Sequence, residues 1–442
     1  MLAPPKPSGP RNSWLAYAAL YCDPLGYLTR AARKHGDAVH LKIGRKSDFL
    51  LNHPDLVRAA LLDQENLRRC VNRPLRRVLG TGLLTCRSEQ HRKQRALLQP
   101  MFTRERIVAL GDVMVGQIAH WADGWRIGAF VDMAEEMTGL SISIIAKTLF
   151  NVDFSSKPPE SRDALVTILQ ATRFKNLALT SKQIEKLSLP FHRRFARAAE
   201  KLDAEIRAMI AERRKDGCEG PDLLSTMVRL QKQSRGGVTE QNIRDQIVTF
   251  FSVGHETTAI GLMWTWYLLS ENPAVAAKLY REVDHVLSDR LPSGQDCERL
   301  RYTRMVFAES MRLYPPIWLM TRRAVRDTKI NGFTIRSGSY VHLSPFVMHR
   351  DPRYFPEPER FDPERWTPEA VAARPKFSYF PFGGGSLQCI GESFAWMQGM
   401  LTIATLARRW QMRLVPGHRI ELDPHITLRS RYGMPMKLER RN

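Results

Sequence analysis

The chain has 442 residues, 43% of them hydrophobic, which is enough for one large core and excludes intrinsic disorder. Its 67 Lys and Arg against 45 Asp and Glu leave a formal charge of +22, compatible with an acidic protein partner, an anionic surface or a nucleic acid. The six cysteines are too scattered for a disulfide framework or a zinc ribbon, and no zinc-finger or RNP-like pattern supports a nucleic-acid partner.

The opening MLAPPKPSGPRNSW is Pro-rich and polar. The apolar WLAYAALYC that follows (14–22) is too short to span a bilayer and lacks signal-peptide architecture. No later run reaches membrane length without charges, so a cytoplasmic chain with no transmembrane segment is expected. GDAVHLKIGRKSDFLLN (36–52) reads as paired strands. From about residue 97 to 288 the period is helical, with breaks at 154–163, 213–222 and 232–238. HRKQR (91–95) puts His91 and Arg95 one turn apart on a helix face.

Thr239 is a good N-cap for the longest helical stretch, which runs to about Glu271. That stretch is apolar nearly all round, the pattern of a helix at the centre of a large domain. Within it, VGHETT (253–258) interrupts the apolar surface with residues that a buried helix interior tolerates poorly. Taken alone, the interruption reads as a kink with satisfied hydrogen bonds. Asn272 and Pro273 then supply the N-cap and first turn of another amphipathic helix.

After about residue 290 the texture changes to Pro, Gly and short β-like runs. ESMR (309–312) sets Glu309 and Arg312 on one helix face, and TKINGFTIRSGSYVHL (328–343) carries an Asn-Gly hairpin signal. PFGGGSLQCIGESFA (381–395) holds Cys389 after three glycines and before a helix that starts near Ile390. Glycine lets backbone approach something bulky, and a helix N-terminus favours the thiolate over the thiol. The chemistry is that of a soft anion presented to a metal or an electrophile.

In order, HRKQR, VGHETT, ESMR with LYPP after it, TRRAVRD (321–327), PERF (358–361) and FGGGSLQCIG (382–391) resemble the motif series of the cytochrome P450 family, soluble bacterial-type haem-thiolate monooxygenases. The likeness spans essentially the whole chain. It implies one domain over 1–442, mainly α with small β-sheets. The β-containing parts fall at about 36–60 and 315–350, the helical part at about 90–312 and the ligand loop at 381–391.

The resemblance implies haem b (iron protoporphyrin IX) as cofactor, with Cys389 as the iron ligand and Phe382, Gly383 and Gly391 beside it. Gly383, Gly384 and Gly385 are expected to let the backbone lie against the macrocycle. His91, Arg95 and Arg322 match positions that hold the haem propionates. Glu309, Arg312 and Arg360 match a buried charge triad beneath the haem. Glu256 and Thr257 match the acid–alcohol pair that relays protons toward dioxygen, a pair that a haem protein which only binds or senses would not need. Two positions depart from the family. Leu387 stands where Arg or His is usual, which leaves a propionate contact for Gln388 or Ser386 to replace, and Val253 stands where Ala or Gly is usual.

By the same resemblance, the substrate is a small apolar molecule, a terpenoid, fatty acid, steroid or other secondary metabolite, hydroxylated or epoxidised with O2. Its pocket is expected to draw on the loop 70–90, the segment 165–190, Phe250, Val253, Ile317, Trp318, Leu319 and Leu428. Electrons are expected from a separate ferredoxin or flavodoxin with its NAD(P)H reductase, docking near Arg87, Arg92, Lys93, Arg104 and Arg106. A monomer is expected.

Overall fold

Thr239 caps the longest helix as its side chain allows. The Asn242 N–H donates to its hydroxyl at 3.1 Å, and the Thr239 N–H donates to the Asn242 side chain at 3.0 Å. This reciprocal box fixes the start of Glu240–Glu271, an unbroken helix of 32 residues. In this computed structural model, which describes residues 7–10, 13–43, 46–70, 75–76, 79–153, 190–233 and 237–441, that helix is the centre of the core. It packs against helices Met133–Phe150, Arg301–Leu313 and Glu392–Ala407. Phe251 stacks on Phe150 at 4.7 Å, and Trp264 stacks on Tyr314 at 4.2 Å.

Pro273–Leu287 follows as a helix with Asn272 at its N-cap: the Ala276 N–H donates to the Asn272 carbonyl at 3.1 Å, but the Asn272 side chain makes no cap bond. That side-chain amide donates back to the Leu268 carbonyl at 2.8 Å, so it closes the end of the long helix. The helical break at 213–222 is present, between Pro190–Lys215 and Leu223–Gln233; of the one expected at 232–238, residues 234–236 lie outside the described residues. The expected break at 154–163 and pocket segment 165–190 lie outside the described residues, save Pro190 itself.

In chain order the strands are β1 (Ala38–Ile43), β2 (Lys46–Leu51), β3 (Leu67–Arg69), β4 (Phe130–Asp132), β5 (Met320–Ala324) and β6 (Thr328–Ile330). Then come β7 (Phe333–Ile335), β8 (Tyr340–Leu343), β9 (Trp410–Leu414), β10 (Leu422–Pro424), β11 (Leu428–Ser430) and β12 (Pro435–Arg440). The largest sheet has the order β1-β2-β8-β5-β3, so it joins sequence-distant parts of the chain. β1 and β2 form the expected early pair. The Asn-Gly turn is also present: Asn331 at φ 44° and Gly332 at φ 84° are both left-handed, and they join β6 to β7. No helix among the described residues is long and apolar enough to cross a membrane.

The helix after the cysteine loop, Glu392–Ala407, sits tightly on Arg301–Leu313 because Gly399 carries no side chain; an added Cβ would overlap the buried Phe307 ring. Gly399→Ala is expected to destabilise by about 1–3 kcal/mol through overpacking. Gly116→Ala, at an exposed helical position with open space around it, is expected to stabilise by about 0.5–1 kcal/mol. Urea midpoints of the two variants should therefore move in opposite directions.

Candidate active site

The backbone of the cysteine loop is pinned from within. The Cys389 N–H donates to the Phe382 carbonyl and the Gly383 N–H to the Phe380 carbonyl, both at 3.0 Å. Gly383 at φ 73° and Gly385 at φ 68° occupy left-handed conformations. The glycines divide by what lies beside them. A Cβ on Gly384 would stand 2.8 Å from the Phe377 ring, and one on Gly385 would stand 2.7 Å from the Leu61 carbonyl. These two therefore meet protein, not an open face as the sequence implied. A Cβ on Gly391 would have a single close neighbour, the Cys389 sulfur at 3.9 Å, and Gly383 is similarly uncrowded.

Protein encloses Cys389, and that burial pushes its thiol up to about 11; the Gly391 N–H and Arg95 oppose the rise, while Glu392 adds to it. The residue is nonetheless exposed to solvent. The following helix starts at Glu392 with Gly391 as its N-cap, two residues later than the sequence indicated.

Basic side chains gather beside this loop. His91 and Arg95 come from helix Ser88–Leu98, and Arg322 comes from β5. Arg95 donates to the Gln388 carbonyl at 2.6 Å, which ties its helix to the cysteine loop. His91 is buried, and that burial, then Arg69 and Arg95, pushes it down to about 4. Burial also lowers Arg322, whose Nε has no hydrogen-bond partner. Sequence reasoning missed Arg69: on β3 it faces Arg322 directly across the sheet, and its Nε is likewise buried and unpartnered. Its only signal was a short basic run, LRRC (67–70), in a chain full of basic residues. The expected substitutes for Leu387 are already engaged: Gln388 donates to Glu392 at 2.6 Å, and Ser386 pairs with Gln64.

Glu309 and Arg312 are both fully buried and joined by two hydrogen bonds of 2.8 Å. Arg360 does not complete a triad with them. Its side chain is 64% exposed and pairs with Glu357 at 3.2 Å, and only its carbonyl accepts from Arg312. The third charge is Arg365, 10% exposed, with Nε 3.4 Å from Glu309, and Trp366 donates to the same carboxylate at 2.9 Å. The stretch EPERFDPERW contains Pro-Glu-Arg twice, and only burial distinguishes the two copies.

The VGHETT stretch does not break the long helix. It opens a notch in it: Val253, Gly254, Glu256 and Thr257 are half-exposed while Phe251, Ser252, His255 and Thr258 are buried. Thr257 donates to the Val253 carbonyl at 3.0 Å. Glu256 turns toward β11, where it accepts from the Thr427 hydroxyl at 2.7 Å and pairs with Arg429. The acid and the alcohol thus lie side by side in the notch, each with its own partner.

Of the expected pocket residues, Ile317 and Leu319 are half-buried, like Val253. Trp318 is buried in a core cluster with Leu428, against which Leu319 also packs, and its indole donates to the His425 carbonyl at 2.8 Å. Phe250 is also buried, stacked on Phe102 at 5.5 Å. Phe250 lies three and four residues before Val253 and Gly254, on the same helix face, and the stacked Phe102 ring covers it. Of the loop 70–90, residues 71–74, 77 and 78 lie outside the described set.

A model of the family described as Cytochrome P450 matches residues 7–433. The chain belongs to the cytochrome P450 family. Cyclooctatin synthase of Streptomyces melanosporofaciens is 37% identical to this P450 over 89% of this chain and 87% of its own. Cyclooctat-9-en-7-ol 5-monooxygenase of the same organism is 35% identical over 90% and 87%. Pentalenene oxygenase of Streptomyces avermitilis is 30% identical over 86% and 85%. The crystal structure of the cytochrome P450DA heme domain superposes with a TM-score of 0.88 at 26% identity, covering 100% of this chain and 99% of that one.

This P450 is accordingly a monooxygenase whose cofactor is haem, protoporphyrin IX, and its mostly helical fold with small sheets is the family's. Its residues fit that group. An exposed cysteine, two uncrowded glycines and buried guanidinium groups with unpartnered N–H are what a flat macrocycle with acidic side arms requires. Arg365→Ala is expected to cost on the order of 3 kcal/mol, since it leaves the buried carboxylate short of charge, and to lower haem content in the purified protein. Arg360→Ala should stay within about 0.5 kcal/mol of the parent with full haem content.

Proposed function

We propose that this P450 hydroxylates or epoxidises a cyclic terpenoid, with Cys389 as the residue that would ligate the haem iron and Glu256 and Thr257 as its proton relay. Two observations support the substrate class together. The half-exposed side chains Val253, Ile317 and Leu319 are apolar, and relatives at 35% and 30% identity are named for cyclooctat-9-en-7-ol and pentalenene, an alkenol and a hydrocarbon. The bound haem supplies the activation of dioxygen; the rest is the work of the chain.

Cys389 binds as thiolate, with the Gly391 N–H tempering its charge. His91, Arg95 and Arg322 hold the propionates. Glu256 Oε1 takes up protons from the side of the β10–β11 hairpin, where the Thr427 hydroxyl already donates to it. Thr257 Oγ1, which donates to the Val253 carbonyl, would hand them on toward the reacting centre.

A separate acidic ferredoxin or flavodoxin, reduced through NAD(P)H, delivers the electrons. Of the basic cluster, Lys93 pairs with Glu89 at 3.0 Å, Arg104 pairs with Glu298, and Arg106 reaches Met101 at 2.9 Å. Arg87 and Arg92, both exposed, are the cations best placed to meet that carrier.

Titrating the ferric enzyme with cyclic terpene hydrocarbons is expected to shift its haem absorption band. A shift with long-chain fatty acids or steroids and none with terpenes would overturn the substrate class. Thr257→Val is expected to divert most of the NAD(P)H consumed into hydrogen peroxide at unchanged haem content. Coupling equal to the parent would remove Thr257 from the relay.

A further inference from the structure

We propose that Thr321, oriented by His342 and Asp48, is a hydroxyl-recognising part of the substrate site, so that the terpenoid this enzyme oxidises already carries an alcohol. This rests on the reading that the substrate is a cyclic terpenoid bound beside Ile317 and Leu319.

The first ground is position. Leu319 stands just before β5 and Thr321 within it, on one side of the chain, while Met320 and Arg322 stand on the other. Met320 is turned toward the cysteine loop, where its Sδ would lie 3.6 Å from a Cβ on Gly383. Thr321, half-buried like Leu319, faces away from that loop. Directly across the sheet from it is His342 of β8, whose Nδ1 lies 3.1 Å from Thr321 Oγ1. Behind the ring, Asp48 of β2 sets Oδ2 3.6 Å from Nε2. The second ground is the cost of Asp48. Its carboxylate is buried, and apart from the ring it meets only the Tyr340 N–H, at 3.4 Å, among the described residues. On the same face Leu41, directly across from Asp48, and Leu50, two residues on, are apolar and buried in one core cluster. A carboxylate so thinly bonded is costly where an apolar residue would pack, so stability does not account for it.

The third ground is the direction of the protons. In the neutral ring the carboxylate keeps the proton on Nε2, which has no nearer partner. Nδ1 is then an acceptor and takes the Thr321 O–H, which leaves Thr321 Oγ1 with lone pairs to offer and no proton. Such an oxygen accepts from the O–H of an alcohol and has nothing to give a ketone, an aldehyde or a hydrocarbon. A carboxylate would meet a lone pair there, and the exposed Arg323 would hold it instead. One polar contact at the end of an apolar molecule fixes its orientation and so selects the carbon that faces the notch. The reaction that supplies the substrate must accordingly leave a hydroxyl on it.

The test uses two cyclic diterpenes, abietadiene and kaurene, each with its matching alcohol, aldehyde and carboxylic acid, and measures their dissociation constants by calorimetry on the haem-loaded enzyme. The parent is expected to bind each alcohol about tenfold more tightly than the aldehyde or the acid. Thr321→Val is expected to weaken the alcohols by about tenfold and to leave hydrocarbons and aldehydes unchanged. His342→Leu removes the acceptor of the Thr321 O–H and frees it to donate, so the aldehydes should gain until they match the alcohols. An aldehyde held as tightly as its alcohol by the parent overturns the proposal, and so does an alcohol that Thr321→Val binds as the parent does. A carboxylic acid held most tightly of the four also overturns it, and moves the polar end to Arg323. If Thr321→Val fails to fold, His342→Leu carries the comparison, and an unchanged preference for alcohol over aldehyde is the overturning result. Failure of the underlying reading looks different: neither series would then bind, hydrocarbons included.

Discussion

A carboxylate and a guanidinium, both out of contact with water, organise the proximal half of this enzyme. Arg312 spends its remaining donors on the carbonyls of His349, Pro358 and Arg360, and Glu309 accepts from the Asp362 N–H at 3.0 Å as well as from Trp366. Charges this deep are tolerated only when every lone pair and proton has a partner, so the pair dictates the course of the loops around it. The influence reaches the sulfur by a short chain of bonds. His349 gives its carbonyl to Arg312 while its Nε2 accepts from the Phe380 N–H at 3.0 Å, a role open only to a neutral ring. Burial, then Arg312 and Arg350, hold that ring's pKa well below the usual histidine value. The Phe380 carbonyl takes the Gly383 N–H, and the Phe382 carbonyl takes that of Cys389.

Opposite this saturated centre lies a deliberately unsaturated one. The side chains of Arg69, His91, Arg95 and Arg322 come from β3, one helix and β5; burial pushes His91 toward its neutral form, while Arg69 and Arg322 face each other across the sheet as like charges. The two centres show the two ways of burying charge. The first is closed and structural; the second includes buried guanidinium N–H groups without a protein acceptor.

The distal side is organised by the β10–β11 hairpin. The Leu428 N–H donates to the Pro316 carbonyl at 3.0 Å and Trp264 donates to the Leu428 carbonyl at 2.9 Å, so the hairpin is locked to the core. Strand alternation then buries Leu428 and sends Thr427 and Arg429 to the other face, where both meet Glu256. Leu428, a pocket residue by sequence, is thus an anchor for the residues that hold the acid.

Local rules made the family legible. The N-cap at Thr239, the Asn-Gly turn at 331–332, the one-turn spacing of Glu309 and Arg312 and the glycines before Cys389 each act within a few residues, and so can be read from neighbouring letters. What remained hidden depends on which side chain reaches water. Nothing in EPERFDPERW says that its second Pro-Glu-Arg is buried against Glu309 and its first is not. Nothing in LRRC says that Arg69 lies across a sheet from a residue 253 positions later, because that register is set by β2, β8 and β5 pairing over the whole length of the chain. Residue types and their spacing determined the chemistry available to this protein; burial and strand register, which belong to the assembled chain, decided which copies of those residues perform it.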